Sequence, residues 1–281
     1  MELIATIRDM TRFSETVRQK DQTIAFVPTM GFLHEGHLAL MEKALTCADH
    51  LVVSIFVNPA QFGPSEDFST YPRALEQDLE KCRKIGVSAV FTPTDEQMYP
   101  PGFETYVTLE NLPFHLCGLS RPGFFKGVAT VVTKLFNIVR PHTAVFGEKD
   151  FQQLTVIRRM VTDLNMGIDI VGVPIVREPD GLAMSSRNKY LTPAQRPHAL
   201  LLSRCLETAE NAVKNGERDA GKVLDLAGDI LATGSDMRVD YLSLCDPETL
   251  EDVALIQKET LMAMAVWVGK TRLIDNRVLT F

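Results

Sequence analysis

The chain has 281 residues, 45% of them hydrophobic and 23% charged, and a formal net charge of −7. Such a length holds one large domain or two ordinary ones, and the composition is that of a soluble globular protein. The acidic balance argues against a surface that coats nucleic acid, and no apolar stretch is long enough to span a bilayer. Cys47, Cys82, Cys117, Cys205 and Cys245 form no CxxC pair and read as reduced thiols of a cytoplasmic protein. The N-terminus shows no basic segment followed by an apolar one, so no signal peptide is expected.

In chain order, Ile7, Met10, Phe13 and Val17 fit an amphipathic helix. The apolar run Thr23-Ile24-Ala25-Phe26-Val27 reads as a strand stopped by Pro28. A helix begins near Gly36, with Leu38, Met41, Leu45 and Ala48 at helical spacing. Residues 51–57 are apolar almost throughout, as in a strand covered on both faces of a parallel sheet. They end in a Pro- and Gly-made loop, residues 58–64. Residues 74–85 suit a helix and 87–91 a strand. Residues 100–127 are the least regular part. A helix is expected over 127–139, a short strand over 144–146, a helix over 154–164 and a buried strand over 168–173. Strands alternating with helices imply a parallel sheet with right-handed crossovers.

Near Val176 the character changes. Residues 177–188 are a polar loop. Thr192-Pro193-Ala194-Gln195 offers an N-cap, a Pro at N1 and a Gln at N3, opening a long helix to about Lys214. A second helix covers about 220–231, and 239–244 and 261–268 alternate as half-buried strands. The fold class is therefore α/β: a Rossmann-like parallel-sheet domain over residues 1–176 and a smaller C-terminal α+β domain over 177–281.

The chemistry concentrates in loops that follow strands. In such sheets ligands sit outside the carboxyl ends of the strands, and the polar loops follow Val27, Val57, Phe146 and Val176, so they are expected to converge on one cleft. The first, Met30-Gly31-Phe32-Leu33-His34-Glu35-Gly36-His37, is a strand-to-helix turn, whose amides and positive helix end suit a phosphate. His34 and His37 share a helix face if both lie in its first turn, and an imidazole there can stabilise charge developing on phosphate oxygens. The zincin pattern needs His at i and i+4, whereas the spacing here is i+3, so no protein-held metal is expected. Gly147-Glu148-Lys149-Asp150-Phe151-Gln152-Gln153 offers a close backbone approach, a mobile cation for phosphates and an acid for ribose hydroxyls. Met184-Ser185-Ser186-Arg187 carries two hydroxyls and a guanidinium, all phosphate-binding groups, on a loop that could close on a ligand. The same residues also suit a helix cap and a solvated linker. The sequence has neither GxGxxG nor GxxxxGK[ST].

Together these stretches resemble the pantoate–β-alanine ligase family. So do Phe56-Val57-Asn58-Pro59-Ala60-Gln61-Phe62, Tyr71-Pro72-Arg73, Arg121-Pro122-Gly123, residues 181–188 and Arg272-Leu273-Ile274-Asp275-Asn276. The family belongs with nucleotidyltransferases and class I aminoacyl-tRNA synthetases. His34-Glu35-Gly36-His37 matches their His-x-Gly-His signature, and residues 184–187 stand where their mobile Lys/Ser loop lies. The resemblance implies that ATP activates pantoate as an acyl adenylate, releasing pyrophosphate, and that the amine of β-alanine then displaces AMP. It implies an ATP site of residues 30–37, Gly147, Glu148, Lys149, Asp150, Val176, Met184, Ser185, Ser186 and Arg187, with His34, His37, Lys149 and Arg187 catalytic. Gln61 and Gln153 would hold pantoate, and Gln61 and Asn58 β-alanine. It further implies magnesium on the phosphates, a homodimer, and a C-terminal lid. Phe124 stands where the family commonly has His. An adenylyltransferase of the same superfamily acting on another acceptor, and a non-catalytic nucleotide sensor, are the rival readings.

Overall fold

A computed structural model describes every residue except Pro64, Ser65, Asp67 and Phe281, so Pro64, the end of the loop expected at 58–64, lies outside the described residues. The first elements are β1 (Glu2–Ile4), α1 (Ile7–Arg18), β2 (Ile24–Thr29), α2 (Glu35–Leu45), β3 (His50–Ile55), α3 (Leu75–Ile85), β4 (Ala89–Phe91) and α4 (Asp95–Met98). Then come α5 (Cys117–Ser120), α6 (Phe124–Val139), β5 (Thr143–Gly147), α7 (Phe151–Asp163) and β6 (Asp169–Val173). The last are α8 (Arg196–Ala199), α9 (Leu201–Lys214), α10 (Ala220–Ala232), β7 (Met237–Cys245), β8 (Thr260–Val268) and β9 (Thr271–Leu279). The chain divides into two compact units, one of Met1–Leu109, Arg121–Glu148 and Val156–Pro174, the other of Glu110–Ser120, Lys149–Thr155 and Ile175–Phe281.

The first unit is built on a six-stranded parallel sheet of order β1-β4-β3-β2-β5-β6. Side chains alternate across a strand. Ala25 and Val27 of β2 therefore join Met41 and Ala44 of α2 and Leu79 and Cys82 of α3 on one face. Phe26 meets Phe136 of α6 on the other, ring centroids 6.3 Å apart. Both faces are covered, which is why Ile24, Ala25, Phe26 and Val27 are all fully buried. From β2 the chain passes to β3 on one side, while β5 pairs with β2 on the other. The carboxyl end of β2 is thus the topological switch point, where ligands of open parallel sheets bind.

Several boundaries differ from expectation for physical reasons. The short β1, paired with β4 at the sheet edge, was not expected from three residues of sequence. β2 continues through Pro28 to Thr29, in register with Ser54 and Ile55 of β3. A proline costs a strand only the one ladder bond its missing N–H would donate, least near an end. β6 is half-buried rather than buried because it is the other edge strand. α6 opens at Phe124, three residues earlier than its apolar periodicity suggests.

The second unit packs α9 and α10 on an antiparallel sheet of order β7-β8-β9. Leu202, Cys205, Leu206, Val223, Ala227, Met262, Met264 and Val266 form its core. Burial pushes the Cys205 and Cys245 thiols up to about 12, far from a reactive thiolate. The single helix expected from 192 to 214 is two, α8 and α9, separated at Leu200. The Thr192–Gln195 box does form: Thr192 Oγ1 accepts from the Gln195 amide at 3.3 Å and Gln195 Oε1 from the Thr192 amide at 3.1 Å. It closes a turn just before α8 rather than the first turn of a helix. β9 is an additional strand, and it carries Arg272, Asp275, Asn276 and Arg277, polar residues that hide its strand character.

Candidate active site

The turn after β2 is held from three sides. Thr29 Oγ1 donates to the Ser54 carbonyl at 2.8 Å and accepts from the Gly31 amide at 3.2 Å. Gly31 has φ +82 and Phe32 φ +52, and the latter is uncommon for a residue with a side chain. Asp78 of α3, 1% exposed, fixes this conformation. Its two carboxylate oxygens accept from the amides of Phe32 at 2.7 Å and Leu33 at 2.8 Å. One turn along the helix, Lys81 donates to the Leu33 carbonyl.

The held turn delivers His34 to the N-cap of α2, not to its first turn, and His37 to the third helical position. His34 Nδ1 accepts from the Gly36 amide and His37 Nδ1 from the His34 amide, each at 3.2 Å. This is the reciprocal bonding of a capping box, built from imidazoles. The ring centroids lie 4.1 Å apart, and both side chains are half-buried. With Nδ1 accepting in each ring, the proton sits on Nε2, a donor suited to a phosphate oxygen.

The loop after β3 places Asn58 and Gln61 together, Asn58 Nδ2 donating to Gln61 Oε1 at 2.9 Å. Asn58 is buried and Gln61 half-buried. Arg121 grips the same loop: its guanidinium bonds the Gln61 carbonyl at 3.0 Å and pairs with Glu66 at 2.6 Å. The Arg121 guanidinium also stacks 3.7 Å over the Phe124 ring. Phe124 thus supports Arg121 through a cation–π contact, worth about 0.5–1 kcal/mol. In this unit Gly147 and Glu148, at the end of β5, are half-buried.

In the second unit Lys149 and Gln153 are half-buried and Asp150 exposed. The Lys149 carbonyl accepts from Asn276 Nδ2 at 2.9 Å. Adjacent glutamines diverge on α7. Gln152 is buried, donating to the carbonyls of Leu112 at 2.9 Å and His115 at 2.7 Å, which leaves Gln153 on a different side of the helix. Residues 177–183 form a hairpin, and residues 186–190 a short 3-10 helix. The Met184 amide donates to the Val176 carbonyl at 2.9 Å, and Arg177 bridges Ala183. Arg177 forks onto the buried Asp275 at 2.8 and 2.9 Å, and Ser185 caps the turn by accepting from the Arg187 amide at 3.2 Å.

The structure brings His34 to His37, Asn58 to Gln61 and Val176 to Met184, all residues named from the sequence. Asp78 and Lys81, which hold the first of these loops, went unread, and Arg177 and Asp275 entered only as parts of a polar loop and of a matched stretch. For Asp78 a signal existed. It shares a stripe with Leu79 and Cys82, the other buried residues of α3, and a carboxylate inside an apolar stripe is a buried acceptor looking for donors.

The family model for pantoate-beta-alanine ligase matches residues 2–278. Among curated relatives, the pantothenate synthetase of Desulfatibacillum aliphaticivorans is 58% identical over 279 residues, covering 99% of each chain. That of Geobacter sulfurreducens is 56% identical over the same length and share. A crystal structure of pantothenate synthetase from Thermus thermophilus superposes with a TM-score of 0.93 at 43% identity, covering 99% of each chain. Another, pantoate-beta-alanine ligase from Francisella tularensis complexed with beta-gamma ATP and beta-alanine, has a TM-score of 0.82 at 32% identity, covering 99% of this chain and 97% of that one. The turn at the switch point and an end-to-end match of this strength lead to one conclusion: the chain belongs to the pantoate-beta-alanine ligase family.

Proposed function

We propose that the chain condenses pantoate with β-alanine in two steps, through a pantoyl adenylate that forms from ATP and stays bound. Family membership supports the amide-forming ligase chemistry, and the Francisella tularensis relative was solved with beta-gamma ATP and beta-alanine. The observation that carries the adenylate step is the His34–His37 capping box at the carboxyl end of β2, which sets two imidazoles at a helix start. The carboxylate of pantoate attacks the α-phosphorus of ATP, the bond to the bridging oxygen breaks, and pyrophosphate leaves with the charge. Such a transfer needs positioning and donors rather than a covalent enzyme intermediate.

His34 and His37 stabilise the charge that develops on the phosphates, with the backbone of residues 30–36. Gly147 and Glu148 approach the nucleotide. Lys149, Ser185, Ser186 and Arg187 supply further phosphate-binding groups, Asp150 ribose contacts, and Val176 and Met184 backbone or apolar contact. Gln61 and Gln153 hold pantoate, and β-alanine enters on the Gln61 side of the Asn58 loop. Among the described residues no group of three or more His, Cys, Asp or Glu side chains is arranged to hold a metal. Magnesium would accompany the nucleotide and offset the charge on its phosphates. The same reading makes residues 177–281 a lid and the active species a cytoplasmic homodimer. No helix among the described residues is long and apolar enough to cross a membrane.

A coupled assay tests this. Pyrophosphate should appear only when pantoate is present, and free AMP and pantothenate should accumulate only when β-alanine is added. AMP release with a phosphate-bearing acceptor in place of pantoate would establish the adenylyltransferase reading instead.

A further inference from the structure

The Gln61 side chain is held in one orientation by groups that have no choice of role. Asn58, 1% exposed, lies between them. Its Oδ1 accepts from the Ala60 amide at 3.3 Å and from the Tyr99 hydroxyl at 2.7 Å. Its Nδ2 donates to the Gly127 carbonyl at 3.2 Å and to Gln61 Oε1 at 2.9 Å. A backbone N–H only donates and a backbone carbonyl only accepts. Ala60 and Gly127 therefore decide which end of the Asn58 amide is oxygen and which is nitrogen. Asn58 must then donate to Gln61, which turns the Gln61 oxygen inward. What remains is the Gln61 NH2, without a hydrogen-bond partner among the described residues.

The backbone around this relay is also fixed. A Cβ on Gly127 would lie 2.1 Å from the Ala60 carbonyl oxygen, so only glycine lets α6 approach the turn this closely. Tyr99 is itself wedged between Phe56 and Phe103, ring centroids 6.4 and 5.1 Å away, so its hydroxyl reaches Asn58 from a fixed ring.

We propose that Tyr99 and Asn58 are positioning residues that present Gln61 to the substrate as a donor only. This rests on the reading of Gln61 as a pantoate- and β-alanine-binding residue, and it sharpens that reading. The partner of Gln61 is an acceptor, the carboxylate of pantoate. It is not the ammonium of β-alanine, which needs an acceptor and must find it elsewhere.

Two substitutions at Gln61 separate the orientations. Gln61→Glu keeps an acceptor facing Asn58 but puts a carboxylate where the NH2 was. If the outward end faces acceptors, Gln61→Glu should raise the KM for pantoate about tenfold above that of Gln61→Ala, because an opposed like charge is worse than a gap. A Gln61→Glu enzyme with a pantoate KM at or below that of Gln61→Ala would overturn the assignment. Tyr99→Phe should raise the pantoate KM about threefold or more and leave the KM for ATP within about twofold. In the Gln61→Ala background it should change neither, since the relay would have nothing left to orient. An equal Tyr99→Phe effect in both backgrounds would mean a general structural role and would also overturn the proposal. A readout free of substrate keeps the relay separate from the function. The side-chain NH2 resonance of Gln61, assigned by its loss in Gln61→Ala, should shift in ligand-free Tyr99→Phe. An unmoved resonance counts against the relay, whereas a shifted resonance together with a parent enzyme that never uses pantoate counts against the substrate reading alone.

Discussion

His37 does two jobs with one ring. Its Nδ1 accepts the amide of the N-cap residue, and its ring sits at the switch point beside His34. Replacing His37 with Ala should lower the rate of adenylate formation by about a hundredfold or more, the usual scale for one lost transition-state donor. It should also cost about 1 kcal/mol of stability, the ordinary value of one helix cap. Single-turnover kinetics and a denaturant melt on the same variant check both, and an Ala variant adenylating at the parent rate would remove His37 from the chemistry. The pair itself was legible in the sequence, as spacing and as a strand-to-helix turn. Its geometry was not, because a shared first turn and an N-cap with the third helical position give the same i, i+3 spacing. The φ +52 of Phe32 and the two amide bonds accepted by Asp78 place His34 outside the helix.

Loops carry the chemistry, but neighbouring elements carry the loops. α3 reads in sequence as a charged surface helix, and most of it is one, yet its Asp78 and Lys81 grip residues 32 and 33. Asp78→Ala should destabilise the protein by about 3 kcal/mol, since one part-buried and one buried amide lose a charged acceptor. It should depress adenylation as well, although no atom of Asp78 is assigned to substrate; unchanged adenylation in a folded Asp78→Ala enzyme would show that the turn holds its shape unaided. β9 makes the same point. Asp275 holds Arg177 at the root of the hairpin that leads into residues 184–187 and Asn276 holds the Lys149 carbonyl, and these polar duties mask the alternation that marks a strand. An acid limb belongs to the turn after β7. A salt bridge from Lys258, helped by the Thr249 and Glu248 amides, holds the Asp246 carboxyl down to about 2 from an ordinary 3.8. A carboxyl depressed in the folded state contributes stability above its unfolded pKa, and that contribution is lost as pH falls through the folded value. Thermal melts should therefore show Asp246→Asn flattening the loss of stability between about pH 4 and pH 2. A parent and variant with identical acid limbs would contradict this.

At the scale of the whole molecule, the alternation of strands and helices made the parallel sheet legible, because burial on both faces leaves a strong apolar signature. The division into units was harder to read, since residues 110–120 and 149–155 group with the C-terminal half although they lie among the segments of the first unit. Such membership depends on long-range packing, as where Gln152 bonds the carbonyls of Leu112 and His115. No local period records that. In the proposed reaction, activation of the acid precedes the amine and does not need it. The groups assigned to ATP, His34, His37, Lys149, Ser185, Ser186 and Arg187, are sufficient in kind for the first half-reaction, and none of them depends on β-alanine. The direct measurement is exchange of labelled pyrophosphate into ATP, with pantoate present and β-alanine absent. Exchange should require pantoate and should fall in an Arg187→Ala enzyme, because that change touches the phosphates used in activation. Absence of exchange in the parent enzyme until β-alanine is supplied would contradict a bound adenylate formed ahead of the amine.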